Sequence, residues 1–139
     1  MREVPGYETF EHGADAGIRG AGHSPGEAFA MAAKAMFSLM VDDIYLVPAR
    51  KKVRIRVEGF DRESLLLAWL NQLLAEADIR GVIFSEFQAF VSGTELEGLA
   101  RGSALGDRDP GVEVKAATYS QIGVYQENGI WIAQCVVDV

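Results

Sequence analysis

Apolar residues recur at spacings of three and four in two segments of the chain, and this pattern predicts two amphipathic helices. The first helix is predicted to begin after Ser24, a favourable N-cap residue, and to end near Val41. The second is predicted to begin after Asp61 and to end before Gly81, since glycine is common just beyond helix ends. In both helices the apolar stripe is wide enough to pack against a sheet.

β-branched and aromatic residues dominate the other apolar segments, which predict about seven strands. Two short strands precede the first helix, an alternating strand ends at Val57, and the others follow the second helix. Asn128-Gly129 lies between the last two long strands and predicts a hairpin. The order predicts an α+β fold in which residues 1–139 form a single domain, a two-layer α/β sandwich whose mixed, largely antiparallel sheet carries both helices on one face.

The balance of charged residues bears on the partners of the protein. The sequence has 13 basic and 20 acidic residues and a net charge of −7, which disfavours contact with nucleic acid unless a local basic patch overrides it. The one basic cluster, residues 50–56, alternates with valine and isoleucine and is typical of a strand with one exposed face. We therefore expect no direct binding of nucleic acid.

Cysteine usage and hydropathy indicate the cellular compartment. The single cysteine, Cys135, lies in an apolar segment and excludes both an intramolecular disulfide and a cysteine zinc site. The N-terminal residues lack the apolar core of a signal peptide, and no apolar segment approaches the roughly 20 residues that a membrane span needs. We expect a cytoplasmic protein that does not associate with membranes.

Two distant segments predict an acidic metal site. The loop His12-Gly13-Ala14-Asp15 carries an imidazole and a carboxylate, and an apolar strand ends in Asp138-Val139, which supplies a side-chain carboxylate and a terminal carboxylate. Adjacent carboxylates repel each other unless a cation or hydrogen-bond donors neutralise them. If Asp15 folds onto this strand end, the oxygen ligands favour calcium, magnesium or manganese over zinc.

Each of these segments also has a simpler interpretation. Asp15 can bond the amides of its own turn, as aspartate often does, and Asp138 and Val139 can form a solvated tail. Lys115 interrupts an apolar strand, and its ammonium either reaches solvent or lies near the acidic edge, where it pairs with a carboxylate or holds a partner's phosphate. The residues alone leave these alternatives open.

Motifs of common enzyme classes are absent from the sequence. It contains no G-x-S-x-G, no Walker-type glycine loop, no H-E-x-x-H and no Rossmann fingerprint. We predict no catalytic residue and no residues that bind an organic cofactor.

Six segments, taken in order, resemble the archease family over essentially the whole chain. They include the His12-Gly13-Ala14-Asp15 loop, the Trp69-Leu70-Asn71 part of the second helix and the closing Val137-Asp138-Val139. Their full extents are 11–18, 27–40, 67–74, 81–87, 114–119 and 131–139. Each segment alone is a modest match, and the specificity lies in finding all six in register.

The resemblance implies a small cytoplasmic accessory protein and not an enzyme. Archeases assist the RtcB-type RNA ligase, which uses GTP and a metal to join RNA ends, and they promote its guanylylation and multiple turnover in tRNA splicing and RNA repair. The resemblance also implies that Asp15, Asp138 and Val139 bind a divalent ion, with calcium as the first expectation and manganese or magnesium as alternatives. His12 and Lys115 are expected to support this site.

This sequence departs from the family pattern at two residues near the proposed site. Gly13 stands where threonine is common, which predicts a looser loop, and Ser120 stands where relatives often carry histidine. Neither change removes a proposed ligand. Two other functions remain as alternatives: a metal-stabilised adaptor or chaperone-like protein without ligase specificity, and a hydrolase that uses the same acidic edge.

Overall fold

The computed structural model of the chain describes residues 2–107 and 109–139. A short 3₁₀ turn, Ile44–Leu46, lies between the first helix and the third strand. The other elements follow in the order β1 (Gly6–His12), β2 (Asp15–Gly22), α1 (Pro25–Ser38), β3 (Lys51–Glu58), α2 (Arg62–Arg80), β4 (Ile83–Ser92), β5 (Glu95–Ser103), β6 (Ala116–Ala117), β7 (Gly123–Glu127) and β8 (Ile130–Asp138).

Both helices begin at the residues that the sequence predicts. The hydroxyl of Ser24 accepts a hydrogen bond from the amide of Glu27 at 3.1 Å. The carboxylate of Asp61 accepts one from the amide of Ser64 at 2.8 Å. Gly81 ends α2 with a φ of 64°, the left-handed conformation that glycine adopts without strain. Local capping therefore fixes three of the four helix ends in the predicted places.

The fourth helix end differs from the prediction. α1 ends at Ser38 and not near Val41, where the apolar pattern stops. The carbonyl of Leu39 accepts a hydrogen bond from the amide of Val112 at 2.7 Å, and Val41 forms an isolated bridge with Pro110. Val41 is buried, and it therefore continues the apolar pattern of α1 in the sequence. Its backbone, however, pairs with a distant segment and does not continue the helix. Neither described helix is long and apolar enough to cross a membrane.

The strands divide into two sheets, and every described strand pair is antiparallel. The five-stranded sheet has the order β1-β2-β8-β6, with β7 also paired to β8, and the three-stranded sheet has the order β3-β5-β4. The predicted α+β class is confirmed, but the strands form two antiparallel sheets and not the expected single mixed sheet with both helices on one face, because each helix packs against strands on two sides. The predicted hairpin is confirmed as well, since Asn128 and Gly129 have φ angles of 53° and 79° and connect β7 to β8 in the manner of a type I′ turn.

Both helices lie between the two sheets, because each contacts strands of both. α1 packs against β1, β2 and β8 and also against β4, while α2 contacts β3, β5, β6 and β7. Trp69 of α2 is fully buried, and its indole N–H donates a hydrogen bond to the carbonyl of Phe29 in α1 at 3.0 Å. The outward faces of both sheets are therefore left free of helices.

Glycines bring the backbone of α1 into contact with strand backbones on two sides. A Cβ atom at Gly20 of β2 would overlap the carbonyl oxygen of Ala28 and the amide nitrogen of Ala32. A Cβ atom at Gly26 of α1 would overlap the carbonyl oxygen of Ala89 in β4. Only glycine permits such an approach, so these two residues fix the separation of α1 from each sheet.

Gly20→Ala should lower the free energy of unfolding by about 3 kcal/mol, because α1 or β2 must move to admit the methyl group. The matched control is Gly93→Ala in the turn between β4 and β5, where space is open and only the positive φ of 61° opposes a side chain. That strain costs about 1 kcal/mol. Urea denaturation measures both values, and equal losses would contradict the proposed constraint.

Candidate functional site

The hairpin between β1 and β2 presents the predicted loop as a tight two-residue turn. His12 and Asp15 are the last paired residues, and Gly13 and Ala14 connect them. Gly13 has a φ of 60°, whereas Ala14 has no positive φ, as expected for a type II′ turn. Threonine adopts that conformation only with strain. Gly13 therefore fits a defined turn, in contrast to the looser loop expected from the sequence.

Strand pairing brings the two predicted acidic segments together. The pairing of β2 with β8 runs to Ala16 opposite Val137, and continuing it by one residue places Asp15 opposite Asp138. Since His12 is already opposite Asp15, three residues form one row across three adjacent strands. We call His12, Asp15 and Asp138 the terminal row.

The terminal row lies on the face of the five-stranded sheet that points away from the helices. Its neighbours Ala16 and Val137 pack into the core, and alternate residues of a strand point to opposite faces. His12 and Asp15 are half-buried and Asp138 is exposed. Within the described part of the chain, none of the three side chains makes a hydrogen bond or a salt bridge. Asp15 thus does not bond its own turn, which disfavours the simpler interpretation of that residue.

An aromatic residue supports the hairpin next to the terminal row. The ring of Phe10 lies over Gly17, where a Cβ atom would overlap it. The guanidinium of Arg19 lies 4.6 Å from the centre of the same ring and also donates hydrogen bonds to Glu8 and Gln134. These contacts join β1, β2 and β8 on the face that carries the row, and they hold the three strands in register.

Lys115 lies beside the terminal row through its backbone. Its amide donates a hydrogen bond to the carbonyl of Asp138 at 2.8 Å, and the next residue, Ala116, pairs with Asp138. The exposed side chain of Lys115 lines a groove of about 670 Å³ that also contains Asp78 and Glu113. Its ammonium makes none of the salt bridges found among the described residues. Both predicted alternatives for this lysine thus remain predictions.

Asn71 of α2 holds this edge of the sheet in place, a role that sequence reasoning missed. Its side-chain oxygen accepts a hydrogen bond from the amide of Ala117 at 2.9 Å, and its side-chain nitrogen donates one to the carbonyl of Ala117 at 3.2 Å. The amide group thus acts as a substitute for a further strand beside β6. The sequence signal for this role is that Asn71 is a polar residue among the apolar residues of α2.

The donor chemistry of the terminal row fits a hard divalent cation. The described part of the chain contains no three His, Cys, Asp or Glu side chains already close enough to bind one ion. However, Asp15 and Asp138 are opposed on adjacent strands, and such residues have Cβ atoms about 5 Å apart. Rotation about side-chain bonds is enough to bring both carboxylates to one ion. Metal binding itself stays a prediction.

Cys135 takes no part in this site. It is fully buried within β8, and burial raises the pKa of its thiol to about 12. The neutral thiol is a poor nucleophile and a poor metal ligand. We therefore expect no thiol chemistry at Cys135.

Comparison with known proteins identifies the family. Residues 7–139 match the Archease protein family. The chain is 36% identical over 140 residues to the protein archease of Pyrococcus furiosus, a match that covers 96% of this chain and 98% of that protein. The chain belongs to the archease family. The resemblance found from six short segments is therefore confirmed.

Solved structures show the archease fold as well. The solution structure of Methanobacterium thermoautotrophicum protein 1598 is 35% identical, has a TM-score of 0.85 and is matched over 97% of this chain and 99% of that chain. A crystal structure from Thermotoga maritima, described as an archease and possible chaperone, has a TM-score of 0.64 at 18% identity and covers 94% of both chains. At that identity the second likeness concerns the fold alone.

Asn71→Ala should lower the free energy of unfolding by about 2 kcal/mol, since two hydrogen bonds are lost and both backbone groups of Ala117 lose their partner. Gln72→Ala is the matched control, because it truncates a neighbouring side-chain amide that bonds only Glu76, at 3.3 Å. We expect the control to cost less than about 0.5 kcal/mol. Chemical denaturation measures both free energies of unfolding. A small and equal loss in the two variants would contradict the proposed role of Asn71.

Proposed function

We propose that this chain is an accessory protein of an RtcB-type RNA ligase, promoting guanylylation and multiple turnover of the ligase in tRNA splicing and RNA repair, and that it acts in the cytoplasm. Membership of the archease family supports the proposal. The structural observation that carries it is the strand register that sets Asp15 opposite Asp138 with no partner for either carboxylate. Like charges directly opposite each other on adjacent strands are destabilising, and a bound cation would remove that repulsion.

The proposed metal ligands are Asp15, Asp138 and the carboxylate of Val139. All three supply oxygen, so calcium is the first choice and manganese or magnesium are the alternatives. A bound divalent ion would offset most of the negative charge of these three carboxylates and hold them together. Under this proposal His12 orients the Asp15 side of the row, and Lys115 flanks the opposite side.

The chain's own residues act by binding and placement and not by chemical reaction. The terminal row consists of an imidazole and carboxylates and includes no hydroxyl or thiol nucleophile. It also lies on an open sheet face and not in a closed cavity that excludes water. We therefore propose an activator and no enzyme activity. The net charge of −7 favours encounter with a basic, RNA-binding ligase.

A chaperone-like adaptor is the second candidate function. The Thermotoga maritima relative is described as a possible chaperone. Several large apolar side chains of this chain are exposed, and in this alternative they would contact the client protein. They include Tyr45, Leu46, Phe60, Ile79 and Phe90. In this alternative the metal only stabilises the fold.

The test is the amount of ligated RNA formed per ligase molecule, with ligase limiting and with GTP and RNA ends in excess. Addition of this chain should raise the yield from about one product per ligase to many. Asp15→Ala should abolish the gain, because it removes one of the two opposed carboxylates. Glu11→Ala should retain it, since Glu11 is a carboxylate of the same hairpin that pairs with Ala16 and lies on the other face.

The two candidate functions give different results for Asp15→Ala. The activator proposal expects a folded variant without activation, as judged by circular dichroism and urea denaturation. The adaptor alternative expects a lower melting temperature in the presence of metal and no dependence of ligase turnover on the chain. An active ligase that turns over equally with and without the chain would contradict the activator proposal.

A further inference from the structure

The three-stranded sheet exposes a row of basic side chains on the face that points away from the helices. Val53 and Ile55 of β3 are buried, so the alternate residues point outward. Pairing with β5 adds Arg101, which lies directly opposite Lys52. We call this surface the basic face; its basic residues are Arg50, Lys52, Arg54, Arg56 and Arg101, all of them exposed.

The spacing of these cations is regular. Alternate residues of one strand lie about 7 Å apart and neighbouring strands lie about 5 Å apart. Lys52, Arg54 and Arg56 therefore form a straight line of positive charges, and Arg101 widens it at one end. The distance between successive phosphates of an extended single strand is similar, so one phosphate can meet each cation.

The same outward face also carries four exposed acidic residues, and three of them lie at the end away from Lys52 and Arg101; the four are Glu58, Glu86, Glu95 and Glu97. Arg56 lies 3.8 Å from Glu97, and both side chains are more than 70% exposed, so the pair contributes little. The remaining four cations make no salt bridge in the described part of the chain. Glu86 is the acidic residue paired with Arg101, without an ion pair between them. Exposed, unpaired cations of this kind are available to an external anion.

The basic face is an exception on an acidic molecule. It contains five of the 13 basic residues of the sequence. The terminal row lies on the opposite side of the molecule, on the outward face of the other sheet. The expectation of no nucleic-acid binding was based on net charge and on the β3 segment alone. Arg101 joins that segment only through strand pairing, and at that end of the face four cations lie with a single acidic residue, Glu86; the cations are Arg50, Lys52, Arg54 and Arg101.

An exposed aromatic side chain on the same face favours nucleic acid over an acidic protein surface. Phe90 of β4 is 73% exposed and lies in the same cross-strand row as Glu97 and Arg56. Glu97 lies between Phe90 and Arg56 in that row, and Leu99 and Gln88 occupy the next row with Arg54. A flat sheet with cations and an exposed ring binds single strands by phosphate contact and base stacking. An acidic peptide would need the cations and not the ring.

We propose that the basic face binds single-stranded RNA, with Lys52, Arg54 and Arg101 contacting phosphates and Phe90 stacking on a base. This binding is independent of the proposed ligase activation and uses the opposite side of the molecule. Failure of one proposal therefore leaves the other intact.

The test uses the full chain alone and a fluorescently labelled 12-nucleotide oligouridine, with fluorescence anisotropy measured from low to physiological salt. Three or four phosphate contacts predict a slope of log affinity against log salt of about −2 to −3. The triple variant K52A/R54A/R101A should weaken binding at least tenfold and bring the slope close to zero. The control R2A/R62A/R80A removes the same charge elsewhere and should bind as the unaltered chain does.

Phe90→Ala distinguishes binding of RNA from binding of any polyanion. It should weaken binding of oligouridine by about 5- to 100-fold with little change in salt slope, since one stacked base is lost. Polyglutamate should compete poorly with the RNA. Equal losses in the two triple variants would overturn the proposal. So would strong competition by polyglutamate together with no effect of Phe90→Ala, which would assign the face to an acidic protein. Urea denaturation confirms that each variant is folded.

Discussion

The backbone contact of α1 with both sheets is the constraint on which the rest of the fold depends. Gly20 and Gly26 allow strand and helix backbones to touch, and no other residue type fits at either place without movement. Because α1 is fixed against β2, the register of β2 with β8 is set by the burial of Ile18, Cys135 and Val137 on the helix side. A shift by one residue would turn these side chains to solvent, so burial specifies the pairing.

That register has a chemical consequence on the other face of the sheet. Once the apolar residues point inward, Asp15 and Asp138 must point outward and opposite each other, with His12 beside them. Core packing therefore positions the terminal row. The type II′ turn at Gly13 fixes the strand end on one side of it, and the hydrogen bonds of Asn71 to β6 fix the strand on the other side. Rigid strands carry all three side chains of the row, which favours a defined binding geometry.

Local signals in the sequence predicted the features that depend on neighbouring residues. Ser24, Asp61 and Gly81 mark helix ends through short-range hydrogen bonds and backbone preference, and Asn128-Gly129 marks a hairpin. Long-range pairing was not predictable in this way. The division of strands into two sheets, the pairing of Val41 with Pro110, the bonds of Asn71 to Ala117 and the addition of Arg101 to the basic face each join distant segments. The family resemblance gave Asp15, Asp138 and Val139 as the expected metal ligands, and the strand pairing brings Asp15 next to Asp138.

The most direct test of the account is calorimetric titration of calcium, and separately manganese, into the purified chain. We predict one ion bound per chain, with at least tenfold weaker binding after Asp15→Asn or Asp138→Asn, since each change removes a charged group from the proposed ligand set. A residue added after Val139 should weaken binding in the same way, whereas Glu11→Gln should leave it unchanged. Undiminished binding in both aspartate variants, or no binding of either ion to the unaltered chain, would contradict the proposed metal site.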